Sequence, residues 1–164
     1  MNVSELMTKP VRTCHIKDSA NVAAQLMWDN DCGAIPVVDD GGRAIAVITD
    51  RDICMAAYTQ GRPLCEIAVA SAASRGVATL REDDSLHRAE QVMSEARVRR
   101  VPVVDSDGRP IGILSITDLA RQTPLFAGGV ASRLLGTMVG ICRKETPRAD
   151  VEPAGGDAPS TAAA

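Results

Sequence analysis

The stretch AIPVVDDGGRAIAVITDRD, residues 34–52, returns 66 positions later as RVPVVDSDGRPIGILSITD, residues 100–118. Working outward from it, Val11–Met55 falls on Val77–Arg121 without a gap, and 15 of the 45 positions are identical. Unrelated sequences match at about one position in fifteen. The chain therefore carries one unit of roughly 60 residues written twice, and its reading begins from that repeat.

Each unit parses in the same way. A short apolar stretch, Val11–Cys14 or Val77–Leu80, predicts a strand. Asp18-Ser19 and Asp84-Ser85 then offer N-cap oxygens to a helix. Along that helix Val22, Ala23, Leu26 and Met27 fall at helical spacing in one unit, and Leu86, Ala89, Val92, Met93 and Ala96 in the other. Ile35–Val38 and Val101–Val104 are consecutive apolar residues, as expected of a strand covered on both faces. The turns Asp39-Asp40-Gly41-Gly42 and Asp105-Ser106-Asp107-Gly108 lead into third strands, Ala44–Ile48 and Ile111–Leu114. A short helix entered at Thr49 or Ser115 closes each unit. The order is β-α-β-β-α, twice. One such unit buries too little apolar surface to stand alone, so an α+β fold is expected in which the two share a core with pseudo-twofold symmetry.

This divides the chain into repeat one (1–62), repeat two (63–122), an extension with a short helix (123–145), and a tail read as disordered (146–164). The tail is rich in Pro, Gly, Ala and acids and lacks apolar periodicity.

Composition removes several function classes. Aromatic residues are 2% of the chain, too few for base-stacking platforms, and a net charge of −3 gives no broad footprint for nucleic acid. The weakly charged run Leu125–Cys142 falls short of a membrane span, being interrupted by Arg133 and four glycines. Met1-Asn2-Val3-Ser4-Glu5 contains an acid and lacks the basic start and apolar run of a signal peptide, so a cytoplasmic protein is expected. The five cysteines show no CxxC spacing and read as small buried hydrophobes rather than metal ligands. No Ser/His/Asp or Cys/His arrangement and no phosphate-binding loop is visible, so the reading is that of a non-enzyme with no required cofactor.

The doubled pattern resembles the cystathionine-β-synthase (CBS) domain. It consists of an apolar-Pro-Val-Val-Asp strand, a Gly-containing turn, and apolar residues followed by Thr or Ser, two residues, and Asp. Two in tandem resemble the CBS pair, or Bateman module. The resemblance covers residues 3–122 and includes SELMTKPVRT at its start. It implies binding of an adenosine-containing ligand (AMP, ADP, ATP or S-adenosylmethionine) as a regulatory molecule, with occupancy passed to a partner protein not identified by the sequence. By resemblance, Asp52 and Asp118 take the ribose hydroxyls, and Thr49 and Ser115 lie near the phosphates. Thr49-x-x-Asp52 and Ser115-x-x-Asp118 are equally well read as capping boxes, and both readings hold together at a helix N-terminus, which favours anions. By the same resemblance, the adenine pocket would be lined by Val77, Thr79, Val101 and Gly112 in repeat two and by Val11, Thr13 and Ile35 in repeat one.

The repeats differ at two points. Gly112, three positions before the hydroxyl, gives a ligand close access to the backbone, and Ala46 in repeat one narrows that approach. Arg99-Arg100 precede the buried strand of repeat two, where repeat one has Gly33-Ala34, and guanidinium groups bind phosphate in a bidentate manner. Both differences rank the second repeat as the better nucleotide site. The closing helices, with Ile53 and Met55 on one and Leu119 on the other, are expected to expose apolar surface that a twofold homodimer would cover. The alternative from another class is a structural or dimerisation module without a physiological ligand.

Overall fold

The computed structural model describes residues 2–122, 135–138 and 141. The predictions for the extension and tail lie outside these residues, except at 135–138 and 141, which are helical. Repeat one runs β1 (Cys14–His15), α1 (Ala20–Asp29), β2 (Ala34–Val38), β3 (Ala44–Thr49) and α2 (Asp50–Gln60). A short helix α3 (Val69–Ala72) precedes repeat two, which runs β4 (Leu80–Arg81), α4 (Leu86–Ala96), β5 (Arg100–Val104), β6 (Pro110–Ser115) and α5 (Ile116–Gln122). Each repeat builds one three-stranded sheet. β1 pairs parallel and β3 antiparallel to β2, and β4 and β6 flank β5 in the same way. This is the α+β, twice-written architecture expected from the sequence.

The first strands are shorter than the apolar runs suggested. Only Cys14–His15 and Leu80–Arg81 reach the edge of the central strand, opposite Val37–Val38 and Val103–Val104. Of the two N-cap serines, Ser85 accepts from the Arg88 N–H at 3.2 Å, whereas Ser19 makes no side-chain cap. The backbone of Ser19 bridges to Ala68 instead.

That bridge belongs to an exchange the periodicity did not reveal. The arm before each repeat packs on the other repeat. Val3 and Ser4 donate their N–H groups to Asp84 and Glu82 carbonyls, each at 2.9 Å, and Thr8 pairs with Ile113 of β6. In mirror fashion Ala20 donates to the Ile67 carbonyl at 2.7 Å, Val69 to Asp18 at 2.8 Å, and Ser74 to Val47 of β3 at 3.0 Å. Val3 and Met7 are buried with Leu80, Met93, Val101 and Leu114 in the core of repeat two. Val69 lies with Cys14, Ile35, Val37 and Ile48 in the core of repeat one. Full burial of one such side chain is worth about 1.5–3 kcal/mol, so each repeat depends on the other's arm.

The two turns meet each other. The Ala44 N–H donates to the Gly108 carbonyl at 2.9 Å, and Arg109 Nε donates to the Gly41 carbonyl at 3.4 Å. Gly42 and Gly108 both adopt positive φ there (77° and 82°), a conformation that costs glycine little.

Two expectations about burial are corrected. Ile53 and Leu119 are core residues, because they lie on the inward faces of α2 and α5, and of the three residues named only Met55 is exposed. Of the described cysteines only Cys14 is buried, whereas Cys32, Cys54 and Cys65 lie on outward faces. Burial pushes the Cys14 thiol up to about 11. No helix among the described residues is long and apolar enough to cross a membrane.

Candidate functional site

The helix-opening boxes form as drawn. In repeat one Asp52 Oδ2 accepts from the Thr49 N–H at 2.9 Å and from Thr49 Oγ1 at 2.7 Å, while the Asp52 N–H donates back to Thr49 Oγ1 at 3.2 Å. Repeat two repeats this with Asp118 and Ser115 at 2.8, 2.7 and 3.2 Å. The Thr49 and Ser115 hydroxyls thus donate to the Asp52 and Asp118 carboxylates, which holds each Asp in place at the start of its helix. The remaining carboxylate oxygens differ. Asp118 Oδ1 has Arg121 Nη1 at 3.9 Å. Residue 55, the counterpart of Arg121, is Met, which supplies no charge to Asp52.

A cavity of about 530 Å³ lies where the repeats meet, and Thr49 and Asp52 form one side of it. The opposite side comes from repeat two: Val77 and Ala78 ahead of β4, and the turn Arg97–Arg100 between α4 and β5. Val47, Val77 and Val98 give it aliphatic walls, and Arg75, Arg97, Arg99 and Arg100 stand around it with Asp52 as the one acid in the lining. Arg97 holds a left-handed conformation (φ 53°), which swings the chain from α4 into this turn; Asp31 does the same in repeat one (φ 48°). Arg100 also borders a second, more open hollow of about 480 Å³ that holds Trp28, Asp31, Cys32 and Asp50.

The structure therefore regroups the residues named from sequence. Arg99, Arg100 and Val77 line one cavity with Thr49 and Asp52 of the other repeat; Ser115, which Arg100 opposes in the β5–β6 ladder, and Asp118 are not in this lining. The reason is the crossing of the arms, which brings the loop before β4 against β3. Val101 and Ile35 are 0% and 1% exposed and belong to the two cores. Thr79 faces a separate hollow beside Arg88 and Glu95. Val11 is half-buried and Thr13 exposed, both outside the large cavity. Gly112 is explained by packing. A Cβ there would collide with Met7 Sδ and lie 3.1 Å from Met7 Cγ and 3.3 Å from the Thr8 carbonyl oxygen. The residue 66 positions after Met7 is Ala73, which packs on the core containing Ala46. A small arm residue permits Ala46, and a large one requires Gly112. Sequence reasoning missed Arg75 and Arg97; the left-handed turn that presents Arg97 carries no composition signal when glycine is not used.

Comparison with known proteins agrees with this architecture. The CBS domain family model matches residues 3–58 and 69–123. The CBS domain-containing protein YhcV of Bacillus subtilis is 34% identical over 119 residues, 73% of this chain and 83% of that protein. The CBS domain pair of protein MJ0100, solved with 5′-methylthioadenosine and S-adenosyl-L-methionine, superposes with a TM-score of 0.66 at 29% identity, covering 74% of this chain and 94% of the other. The CBS domain protein PAE2072 from Pyrobaculum aerophilum, complexed with AMP, gives 0.67 at 25% identity over 83% and 99%. The relatives range widely in size: the chain spans 23% of one and 88% of another. This chain belongs to the CBS domain family and carries two CBS domains in tandem.

Proposed function

We propose that this CBS pair binds an adenosine-containing ligand in the cavity between its repeats and passes the occupancy on to another protein. The carrying observation is Asp52. Its carboxylate is held by Thr49 through one oxygen, and the residue lines an inter-repeat cavity whose walls are aliphatic and whose rim is basic. Such a group accepts hydrogen bonds from two adjacent ribose hydroxyls. Val47, Val77 and Val98 would hold adenine between aliphatic surfaces, and the guanidinium groups would take the phosphate. The MJ0100 and PAE2072 pairs, which carry adenosine compounds on the same fold, support this reading. The ligand acts as a regulator rather than a cofactor, since no residue of the cavity is arranged for nucleophilic or acid–base chemistry on it.

The output runs through α2. Its first turn carries Asp52, and its outer face presents Met55 and Tyr58, 46% and 82% exposed; Trp28 of α1 is 85% exposed. Exposed Met, Tyr and Trp are among the residue types enriched in interface cores. A twofold homodimer through this face is proposed. Trp28→Glu with Tyr58→Glu would then convert a dimeric mass in light scattering at micromolar protein to a monomeric one. A monomeric wild type defeats that assembly.

The test of the binding function is a thermal-shift panel of adenosine, AMP, ADP, ATP, S-adenosylmethionine, NAD and GTP. A true ligand at a hundred times its Kd adds about 2.7 kcal/mol of stability. No shift with any adenosine compound would leave the structural or dimerisation module as the better account.

A further inference from the structure

Arg100 is common to the linings of two spaces, the inter-repeat cavity and the open hollow that holds Trp28, Asp31, Cys32 and Asp50. It opens β5, where the ladder fixes its Cα opposite Ser115. The start of α2 lies between the same two spaces: Asp52 lines the cavity and Asp50 lines the hollow. The Asp50 N–H donates to the Gly33 carbonyl at 3.3 Å, which ties this turn of helix to the chain entering β2. Asp50 Oδ1 accepts from the Arg51 N–H at 2.7 Å. Its other oxygen, Oδ2, would be 2.9 Å from a Cβ placed on Gly33, and Arg100 Nη2 would be 3.7 Å from the same point. Glycine thus leaves the room in which a carboxylate of repeat one and a guanidinium of repeat two approach each other. The positions related by the repeat hold Ala34 for Arg100, Ile116 for Asp50, Arg99 for Gly33 and Ser94 for Trp28. The arrangement is therefore built once, beside the cavity that Asp52 lines.

We infer that Arg100 is a relay: the Asp50 carboxylate and an anionic group in the cavity compete for its guanidinium, so that filling the cavity withdraws positive charge from the Trp28 hollow. The inference rests on the adenosine reading of the cavity and adds how occupancy reaches the outer surface. Asp31 and Asp50 attract the guanidinium toward the hollow, while Arg75 and Arg99, which share the cavity lining, repel it from the cavity. A phosphate in the cavity reverses the second of these forces. An exposed carboxylate holds an arginine only weakly, whereas phosphate pairs with guanidinium in a bidentate manner. Asp50 is then a positioning residue for Arg100, acting from outside the cavity. Trp28 is exposed in the same hollow, so the change in charge is presented at the outer surface.

The experiment titrates the full chain with adenosine and with AMP, by calorimetry and by the emission of Trp28, the chain's one tryptophan. AMP should change that emission, although Trp28 does not line the cavity, and adenosine should bind without doing so. Asp50→Asn removes the competitor and should tighten AMP binding about two- to fivefold, the equivalent of an exposed ion pair. Adenosine affinity should stay the same, and Asp50→Glu should keep the wild-type affinity for AMP. Deleting any negative charge near an anion site favours the anion, so the deciding measurement is the double-mutant cycle with Arg100→Gln. In that background Asp50→Asn should leave AMP affinity unchanged, and AMP should no longer alter the Trp28 emission. The same tightening in both backgrounds, or AMP binding with an unchanged Trp28 emission in the wild type, would overturn the relay and leave the adenosine reading standing. Calorimetry without a binding signal for adenosine or AMP would overturn the adenosine reading itself, and the relay with it.

Discussion

Asp52 and Asp118 occupy one position in two copies of the same unit, with box hydrogen bonds that agree to within 0.1 Å. Their surroundings have diverged. Asp118 has Arg121 beside its second oxygen, and Asp52 stands opposite the arginine turn of the other repeat. Duplication supplied two equivalent anchors, and substitutions around them made the anchors unequal. The arms show the same divergence in packing: Met7 lies over Gly112, and Ala73 packs on the core of Ala46. In both cases the meaning of a residue is set by what the other repeat brings to it.

The largest effect that probes this contrast concerns the arms. Ile67 is fully buried in repeat one's half of the exchange, and Met7 is 8% exposed in the core of repeat two. Ile67→Ala and Met7→Ala should each lower unfolding free energy by about 2–5 kcal/mol, measured by urea denaturation. A loss below about 1 kcal/mol for either would show that its arm only rests on the partner repeat rather than completing its core.

Next in size is the split between the two carboxylates. Asp52→Ala should weaken binding of every adenosine ligand by about 1.5–3 kcal/mol in calorimetry, the range for hydrogen bonds to a charged group. Asp118→Ala should shift ligand affinity by less than about 0.5 kcal/mol, although each variant loses a helix box worth about 1 kcal/mol of stability. Equal losses of affinity would mean that both clefts fill, and the inequality argued for the two sites would be wrong.

The Gly112 contrast is smaller and more local. Gly112→Ala overpacks the site beneath Met7 and should cost about 1–3 kcal/mol. Combined with Met7→Ala the cost should fall short of the sum, since residues in contact couple by about 0.5–3 kcal/mol. Strict additivity in the double-mutant cycle would return Gly112 to its reading as a door for ligand.

A last contrast leaves stability near neutral pH untouched. Cys14 occupies the place of Leu80 in the second sheet, and burial holds its thiol up to about 11. At pH 8 it should resist maleimide while Cys32, Cys54 and Cys65 are modified quickly, with mass spectrometry of peptides as the readout. Because the folded thiol ionises later than the unfolded one, stability should fall as pH rises from 9 toward 11, and Cys14→Ala should remove that part of the slope. Rapid labelling of Cys14 in the native protein would show that the first sheet opens far more readily than the second.

The local elements were legible because their causes are local. The run of apolar residues through Pro36-Val37-Val38, the Gly42 turn and the Thr49–Asp52 box each lie within a few residues of chain, and hydrogen bonding and periodicity act over that distance. Their recurrence at Pro102, Gly108 and Ser115–Asp118 turned a suggestion into an architecture. The short first strands and the missing Ser19 cap were not legible, because both depend on what the neighbouring arm or strand offers.

By itself, then, the sequence determined two β-α-β-β-α units, a Gly-containing turn in each, and a carboxylate fixed at the start of each closing helix. Only the tertiary structure decided that Arg99 and Arg100 line one cavity with Asp52, that Val3 and Met7 complete the core of the distant repeat, and that Gly112 makes room for a methionine. Asp52 and Arg99 are 47 residues apart and Met7 and Gly112 are 105 apart. Pairings across such distances leave no period in the chain, because they are chosen by which faces the two folded repeats can bury against each other.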